Sequence, residues 1–169
     1  MNIFVTDPDP VTSAHVLPDK HVVKMPLETC QMLAIVCSDK WGHGYGELHK
    51  KDGTPYKTEK GAFRNHPCTV WANESIINAW WLVAHGMALC EEYTHRYDKI
   101  HSCEKTILEA GGMIPFTMDK PKSFARAMPD ILKNNIAIST FTAYKEYLRS
   151  KTWVASNYIC DSSRKPWWI

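Results

Sequence analysis

The pattern of polar and apolar positions is most informative between Asp19 and Val36, which reads DKHVVKMPLETCQMLAIV. In a helix with 100° per residue, the side chains of His21, Lys24, Glu28 and Gln31 fall within an arc of about 80°. The other faces are almost entirely apolar, whereas a surface helix has a wide polar face. The pattern therefore predicts a mostly buried helix with one narrow polar strip, formed by these four residues.

Proline complicates this helix, because Pro26 lacks an amide hydrogen and its ring clashes with the carbonyl four residues earlier. The helix is expected either to kink at Pro26 or to begin near Met25, with a separate turn before it. Asp19 follows Pro18 and is predicted to cap the helix.

The polar strip needs an explanation, because buried ionisable groups cost several kcal/mol unless they are paired or face a cleft. One interpretation is an internal network of His21, Lys24 and Glu28 that only fixes helix packing. The preferred interpretation is a functional site, since perturbed ionisable groups gather at such sites.

Elsewhere the pattern predicts a mainly α protein, with residues 1–169 forming a single compact helical domain. The run Asn2–Val5 predicts a short strand or an extended arm that places the amino terminus. The glycine-rich stretch Ser38–Lys60 predicts a long surface loop, either a functional flap or a variable insertion. Further helices are predicted over Val11–Leu17, over Asp98–Ala110 with a stop at Gly111-Gly112, and over Ser139–Lys151. The stretch Thr69–Tyr97 predicts one or two long helices, with close packing at Gly86.

Composition narrows the class of protein. The chain is 44% hydrophobic and 22% charged, as in an ordinary globular domain, and it has no apolar run long enough for a membrane span. The net charge of +2 is too small to produce an overall electrostatic field that would by itself indicate a nucleic-acid partner. The six cysteines form no CxxC pair, and no signal peptide is recognisable. We therefore expect a soluble protein of the reducing cytoplasm that uses no cofactor.

Two further groups are candidates for binding a substrate. Arg64, Asn65 and His66 precede Pro67 at a predicted helix start, where backbone N–H groups favour a phosphate. The alternative is a capping Asn65 with a packed His66.

The second group consists of Glu92, His95 and Arg96, which share one helical face. They form either a solvated ion pair or a carboxylate and an imidazole that reach the polar strip. At the other end of the chain, Trp167-Trp168 is predicted to close the core, although cations beside exposed aromatics can also stack bases.

Several motifs together resemble a widespread family of small bacteriophage proteins without a settled activity. They cover nearly the whole chain: MNIFV, DPDPVTSAH, DKHVVKM, LET-Q, NHPC-VW-NES, LCEEYTHRY-K-H, AMPD and KPWW. Pro26 departs from that pattern, which has an aliphatic residue at this position. The resemblance implies a phage protein acting in the host cytoplasm.

A more remote similarity connects the chain to pyrimidine-dimer DNA glycosylases of the endonuclease V type. It consists of a short N-terminal strand, a helix with a central glutamate, a basic turn and a later helix with an acidic residue. The resemblance implies that Glu28 is the catalytic carboxylate, that Arg64-Asn65-His66-Pro67 is the basic turn, and that an α-amino group attacks the sugar after removal of methionine. Asn2 is bulkier than the residues that usually permit this removal.

The chemistry of the polar strip fits cleavage of an N-glycosidic bond in DNA or a nucleotide. A buried Glu28 can stabilise the developing positive charge on the sugar. Lys24 is a second candidate nucleophile, if an apolar wall desolvates it, and His21 is expected to transfer protons near neutral pH.

Two other classes of function stay open. One is a metal-dependent hydrolase that uses the ligands His21, Glu28, His66, Glu92 and His95, although no HExxH motif supports it. The other is a non-enzymatic phage factor that binds a host protein or a nucleotide signal.

Overall fold

The prediction of a mainly α protein is confirmed. The computed structural model describes residues 1–117 and 119–169, and no strand occurs among them. The α-helices are α1 (Pro10–His15), α2 (Asp19–Cys37), α3 (Pro67–Asn73), α4 (Ile76–Tyr97), α5 (Glu104–Met113), α6 (Asp130–Lys133) and α7 (Thr140–Arg149), with short 3₁₀ turns at Val154–Ser156 and Ser162–Arg164. None of the helices in the described residues is long and apolar enough to cross a membrane.

The long helix α2 is continuous through Pro26, so neither a separate start near Met25 nor an interruption occurs. Pro26 cannot donate to the carbonyl of Val22, and the neighbouring carbonyl, that of Val23, lies 3.0 Å from His101 Nε2. This contact involves the carbonyl next to the one that Pro26 leaves without a donor in the helix, and it attaches His101 to α2 at that point.

The predicted cap of α2 is wrong, because Pro18 occupies the N-cap position and Asp19 begins the helix. The buried carboxylate of Asp19 instead accepts hydrogen bonds from the backbone N–H groups of Ile159 and Cys160, at 2.7 and 3.2 Å. The start of α2 is therefore fastened to the C-terminal part of the chain.

Helices α2 and α4 pack together at the centre of the core, with α1, α3 and α5 around them. Gly86 of α4 faces Thr29 of α2, and a Cβ at Gly86 would lie 2.6 Å from Thr29 Cγ2. The predicted close packing at Gly86 is confirmed. Of the two alternatives for Thr69–Tyr97, one helix or two, the structure has two, α3 and α4, which are separated near Ser75.

The N-terminal residues form an arm rather than a strand, and Ile3, Phe4 and Val5 are buried in the core. Phe4 has a φ of 41°, in the left-handed region that bulky residues rarely adopt. The side-chain oxygen of Asn2 accepts hydrogen bonds from the N–H groups of Ile3 and Phe4, at 2.8 and 3.0 Å. These bonds hold a tight bend that turns the first residue toward α2.

Two other expectations are corrected. Helix α5 does not stop at Gly111-Gly112 but continues to Met113; Gly111 lies against Val83, so its small size suits packing on α4. Trp167 is 95% exposed and does not close the core, whereas Trp168 packs partly against it.

The glycine-rich loop is confirmed as a long segment without a helix, and it is anchored to α5. His49 Nδ1 lies 2.8 Å from Glu109 Oε1, and the Thr106 hydroxyl donates to the carbonyl of His49 at 2.6 Å.

Candidate active site

The three residues predicted to be catalytic, His21, Lys24 and Glu28, line one cavity of about 360 Å³. This volume lies in the lower part of the range for small-ligand sites. Helix α2 provides one side of the cavity. The other sides are formed by the N-terminal arm, by the end of α7 and by the residues that follow α7. The remaining lining residues are Met1, Asn2, Phe4, Lys20, Met25, Tyr147, Lys151 and Trp153.

Glu28 is only 6% exposed and lies between two cationic groups. Its Oε1 is 3.1 Å from Lys24 Nζ, and its Oε2 is 3.6 Å from the amino group of Met1. Oε2 is buried and makes no hydrogen bond within the described structure. A buried carboxylate oxygen without a hydrogen-bond partner is costly for folding alone, and the charged group beside it is the amino group of Met1.

The amino group of Met1 is held in place by contacts of the Met1 and Asn2 side chains. The Thr69 hydroxyl of α3 donates to Met1 Sδ at 3.4 Å. The Asn2 amide donates to the carbonyl of Ala127 at 2.6 Å. Together with the bend at Phe4, these contacts direct the amine toward Glu28.

His21 is buried among aromatic rings. Its imidazole stacks on Phe4, with 4.1 Å between the ring centroids, and faces the edge of Trp153 at 5.2 Å. Burial, and then the charges of Lys151 and Lys24, lower the pKa of His21 to about 3. His21 is therefore neutral near pH 7, which does not favour the proton transfer predicted for it, and its role stays a prediction. Its buried Nδ1 has no hydrogen-bond partner among the residues that the structure describes.

Lys24 does not have the environment expected of an activated lysine. Its side chain is 68% exposed and its ammonium group is paired with Glu28. Desolvation was the physical reason to expect a nucleophile at this position, and the structure lacks it.

Of the predicted basic turn Arg64-Asn65-His66-Pro67, only His66 lies near the cavity of Glu28. His66, rather than Asn65, caps α3, since its Nδ1 accepts from the N–H of Cys68 at 3.2 Å. Burial and then the charge of the Met1 amino group lower the pKa of His66, while Glu28 opposes the change. His66 therefore lies within electrostatic range of both groups.

The other residues predicted to bind substrate lie outside the cavity lining. The Arg64 guanidinium lies 4.4 Å from the Trp41 ring centroid and donates to the carbonyls of Lys60 and Gly61. Asn65 is exposed, and Gln31 of the polar strip is half-buried.

The group Glu92, His95 and Arg96 is neither a solvated ion pair nor an extension of the cavity. Arg96 Nε lies 2.7 Å from Glu92 Oε1, and its Nη1 lies 2.9 Å from Asp19 Oδ1. Glu92 and Arg96 are buried, whereas His95 is exposed and pairs with Asp161 at 2.8 Å. These contacts connect α4 to the start of α2 and to the C-terminal tail.

The proposed metal ligands do not gather either, since the described residues contain no group of three or more His, Cys, Asp or Glu arranged to hold an ion. Of the five candidates, His21 and Glu28 line the cavity, whereas Glu92 and His95 form ion pairs elsewhere.

The sequence pattern missed most of the cavity wall. Lys20 directly precedes the polar strip, so charge alone could have indicated it. Tyr147, Lys151 and Trp153 lie more than a hundred residues further along the chain, and no local pattern connects them to α2. They reach the cavity only through the tertiary fold.

These features define an all-helical protein whose buried carboxylate faces an α-amine and several lysines. A family model described as pyrimidine dimer DNA glycosylase matches residues 1–105. The chain belongs to this family, and the remote resemblance seen in the sequence is confirmed. No curated protein and no solved structure matches the chain significantly. The resemblance to phage proteins stays a prediction.

Proposed function

We propose that the protein cleaves an N-glycosidic bond of a damaged or modified nucleotide in DNA, with Glu28 and the Met1 amine as the reacting groups. The observation that carries this proposal is the buried Oε2 of Glu28, which has no hydrogen bond from any described residue and lies 3.6 Å from the amine. Membership of a glycosylase family supports DNA as the substrate.

The amine is a better candidate for the nucleophile than Lys24. Glu28 accepts a proton from the ammonium group, and the free amine attacks the anomeric carbon of the sugar. The bond from this carbon to the base breaks, its electrons leave with the base, and the base takes up the proton that Glu28 accepted. Glu28 then transfers a second proton from the attached nitrogen to the ring oxygen. The bond from this oxygen to the anomeric carbon breaks, and a protonated imine forms between the nitrogen and the opened sugar. The carboxylate also stabilises the positive charge that develops on the sugar. The size of Asn2 favours retention of Met1, whose own amine would then react.

The charges around the cavity suit a substrate with phosphates. Lys20, Lys24 and Lys151 and the amino group of Met1 line it, and Glu28 is the only carboxylate among the lining residues. Such a local excess of cations attracts the DNA backbone although the net charge of the whole protein is small.

The test uses duplexes that contain a thymine dimer, uracil, an abasic site or a modified pyrimidine, with borohydride added to trap an imine. We expect base release and a protein–DNA adduct on at least one duplex, and peptide mass analysis should locate the adduct at the amine of Met1. The adduct should persist in Lys24→Ala and disappear when the α-amine is blocked. Glu28→Gln should lower the rate by at least about 100-fold, the scale for loss of a charge-stabilising group.

Glu91→Gln is the matched control, because Glu91 is exposed on α4 and should keep the wild-type rate. No cleavage and no adduct on any duplex, or an adduct located on Lys24, would contradict the proposal.

A further inference from the structure

Two lysines at the cavity are held in the same unusual way. Lys20 Nζ lies 5.0 Å from the centroid of the Trp153 ring, and Lys151 Nζ lies 4.2 Å from the centroid of the Tyr147 ring. Both lysines and both rings line the cavity of Glu28. An ammonium group over an aromatic face is attracted by the ring while its outer side stays open to a ligand.

Neither of these two ammonium groups has a carboxylate partner within 4.0 Å in the described structure. Lys24, which lines the same cavity, is paired with Glu28. Lys24 therefore accompanies the carboxylate, whereas Lys20 and Lys151 are free to bind an anion.

The side of the cavity that carries Lys151 comes from residues 147–153, outside the stretch 1–105 that matches the family. Lys151 is close enough to His21 for its charge to help lower the pKa of that buried ring. Lys151 is half-buried and is one of the residues that line this cavity.

We propose that Lys20 and Lys151 clamp one backbone phosphate of DNA beside the nucleotide on which Glu28 acts, with Trp153 and Tyr147 holding the two ammonium groups in place. This inference rests on the proposed function for the identity of the ligand. A lysine binds phosphate as a point charge without fixed directions, so support from a ring supplies the placement that the flexible side chain lacks.

The experiment measures binding without chemistry. The probe is a fluorescent duplex with a tetrahydrofuran abasic-site analogue, which cannot form an imine, titrated at several salt concentrations. Each phosphate contact contributes about 0.9 to the slope of log affinity against log salt concentration. Lys20→Ala and Lys151→Ala should each weaken binding and reduce the slope. The two reductions should add up to about 0.9, because the two lysines share one phosphate. Lys151→Arg should keep the wild-type slope.

Lys145→Ala is the matched control, because Lys145 also lies over an aromatic ring, that of Trp168 at 5.7 Å, but lines a different cavity. It should bind with the wild-type slope, and urea unfolding of every variant shows whether the fold is intact. Equal slopes for Lys151→Ala, Lys20→Ala and Lys145→Ala would overturn the clamp, as would a wild type that does not bind the probe at low salt. Lysine-dependent binding without cleavage of any duplex would leave the clamp standing and contradict the proposed chemistry.

Discussion

At the scale of single residues, Arg96 joins several buried polar groups of the core. Its side chain is fully buried, and it pairs with both Glu92 and Asp19. It also donates to the carbonyls of Leu17 and His15, at 2.9 and 3.0 Å. One guanidinium group therefore joins α4 to the turn between α1 and α2, which begins the helix that carries Glu28.

Removal of this group should be strongly destabilising. Arg96→Met fills much of the volume but removes one cationic partner from two buried carboxylates, and breaking a buried pair costs about 3–5 kcal/mol. Glu92 keeps Arg164 at 2.9 Å and Asp19 keeps two backbone N–H donors, so we expect a loss near the lower end of this range. Urea unfolding followed by circular dichroism measures the loss. The control is Arg149→Met, whose ion pair with Glu146 is about half exposed and is worth about 0–1 kcal/mol. Similar losses in the two variants would show that the buried network adds little.

The residues of the candidate site show which part of a site can be predicted from sequence. His21, Lys24 and Glu28 were predictable because one helix places them on one face, and a strip of polar groups on an apolar helix is visible in the sequence. Their individual roles were not predictable. The low pKa of His21 depends on Phe4 and Lys151, neither of which belongs to its own helix.

At the scale of the elements, the distance between α2 and α4 is set by one glycine. Gly86 allows Thr29 to approach to a distance that a Cβ would not permit, and the two helices carry Glu28 and the network around Arg96. Gly112 of α5, by contrast, has open space where its Cβ would be.

This contrast gives a paired prediction. Gly86→Ala should destabilise the protein by about 1–3 kcal/mol, the usual cost of overpacking a tight core. Gly112→Ala should stabilise it by about 0.5–1 kcal/mol, because alanine is the better helix former. Thermal and urea unfolding of both variants is the measurement. A stabilising effect of Gly86→Ala would mean that α2 and α4 are further apart than described.

The helices themselves were predictable to different degrees. Helix α2 follows from its pattern, which left a kink at Pro26 or a start near Met25 as alternatives, and the structure has one helix from Asp19 to Cys37. The stop at Gly111-Gly112 was wrong because a glycine pair often ends a helix, whereas both glycines lie inside α5. Gly111 faces Val83 of α4 at short distance, and a local sequence pattern does not show such a contact between helices.

At the scale of the whole molecule, the two ends of the chain meet at the cavity. The first residues supply the amine, and Asn2 is anchored to Ala127. The residues after α7 close the cavity over His21. The stretch that matches the family thus carries Glu28 and the amine, while the later stretch supplies the wall. The mainly α class was predictable from periodicity, but this meeting of distant segments was not.

Two buried histidines should make the whole fold sensitive to acid. His85, outside the cavity, stacks on Trp81, and its buried Nε2 has no partner. Burial lowers the pKa of His85 from 6.5 to about 3, close to that of His21. Below pH 6.5 the unfolded chain therefore binds protons that the folded protein does not, so stability falls as the pH falls toward 3.

Each such group contributes a loss of about 1 kcal/mol per pH unit in this range. In His85→Phe, which keeps a ring against Trp81, the free energy of unfolding should therefore decrease between pH 6 and pH 5 by about 1 kcal/mol less than in the wild type. Urea unfolding at the two pH values measures the difference, and His43→Gln, a change at an exposed histidine, should keep the wild-type dependence. If the stability of His85→Phe also kept the wild-type pH dependence, His85 would already be charged in the folded protein, and the apolar environment described for it would be incorrect.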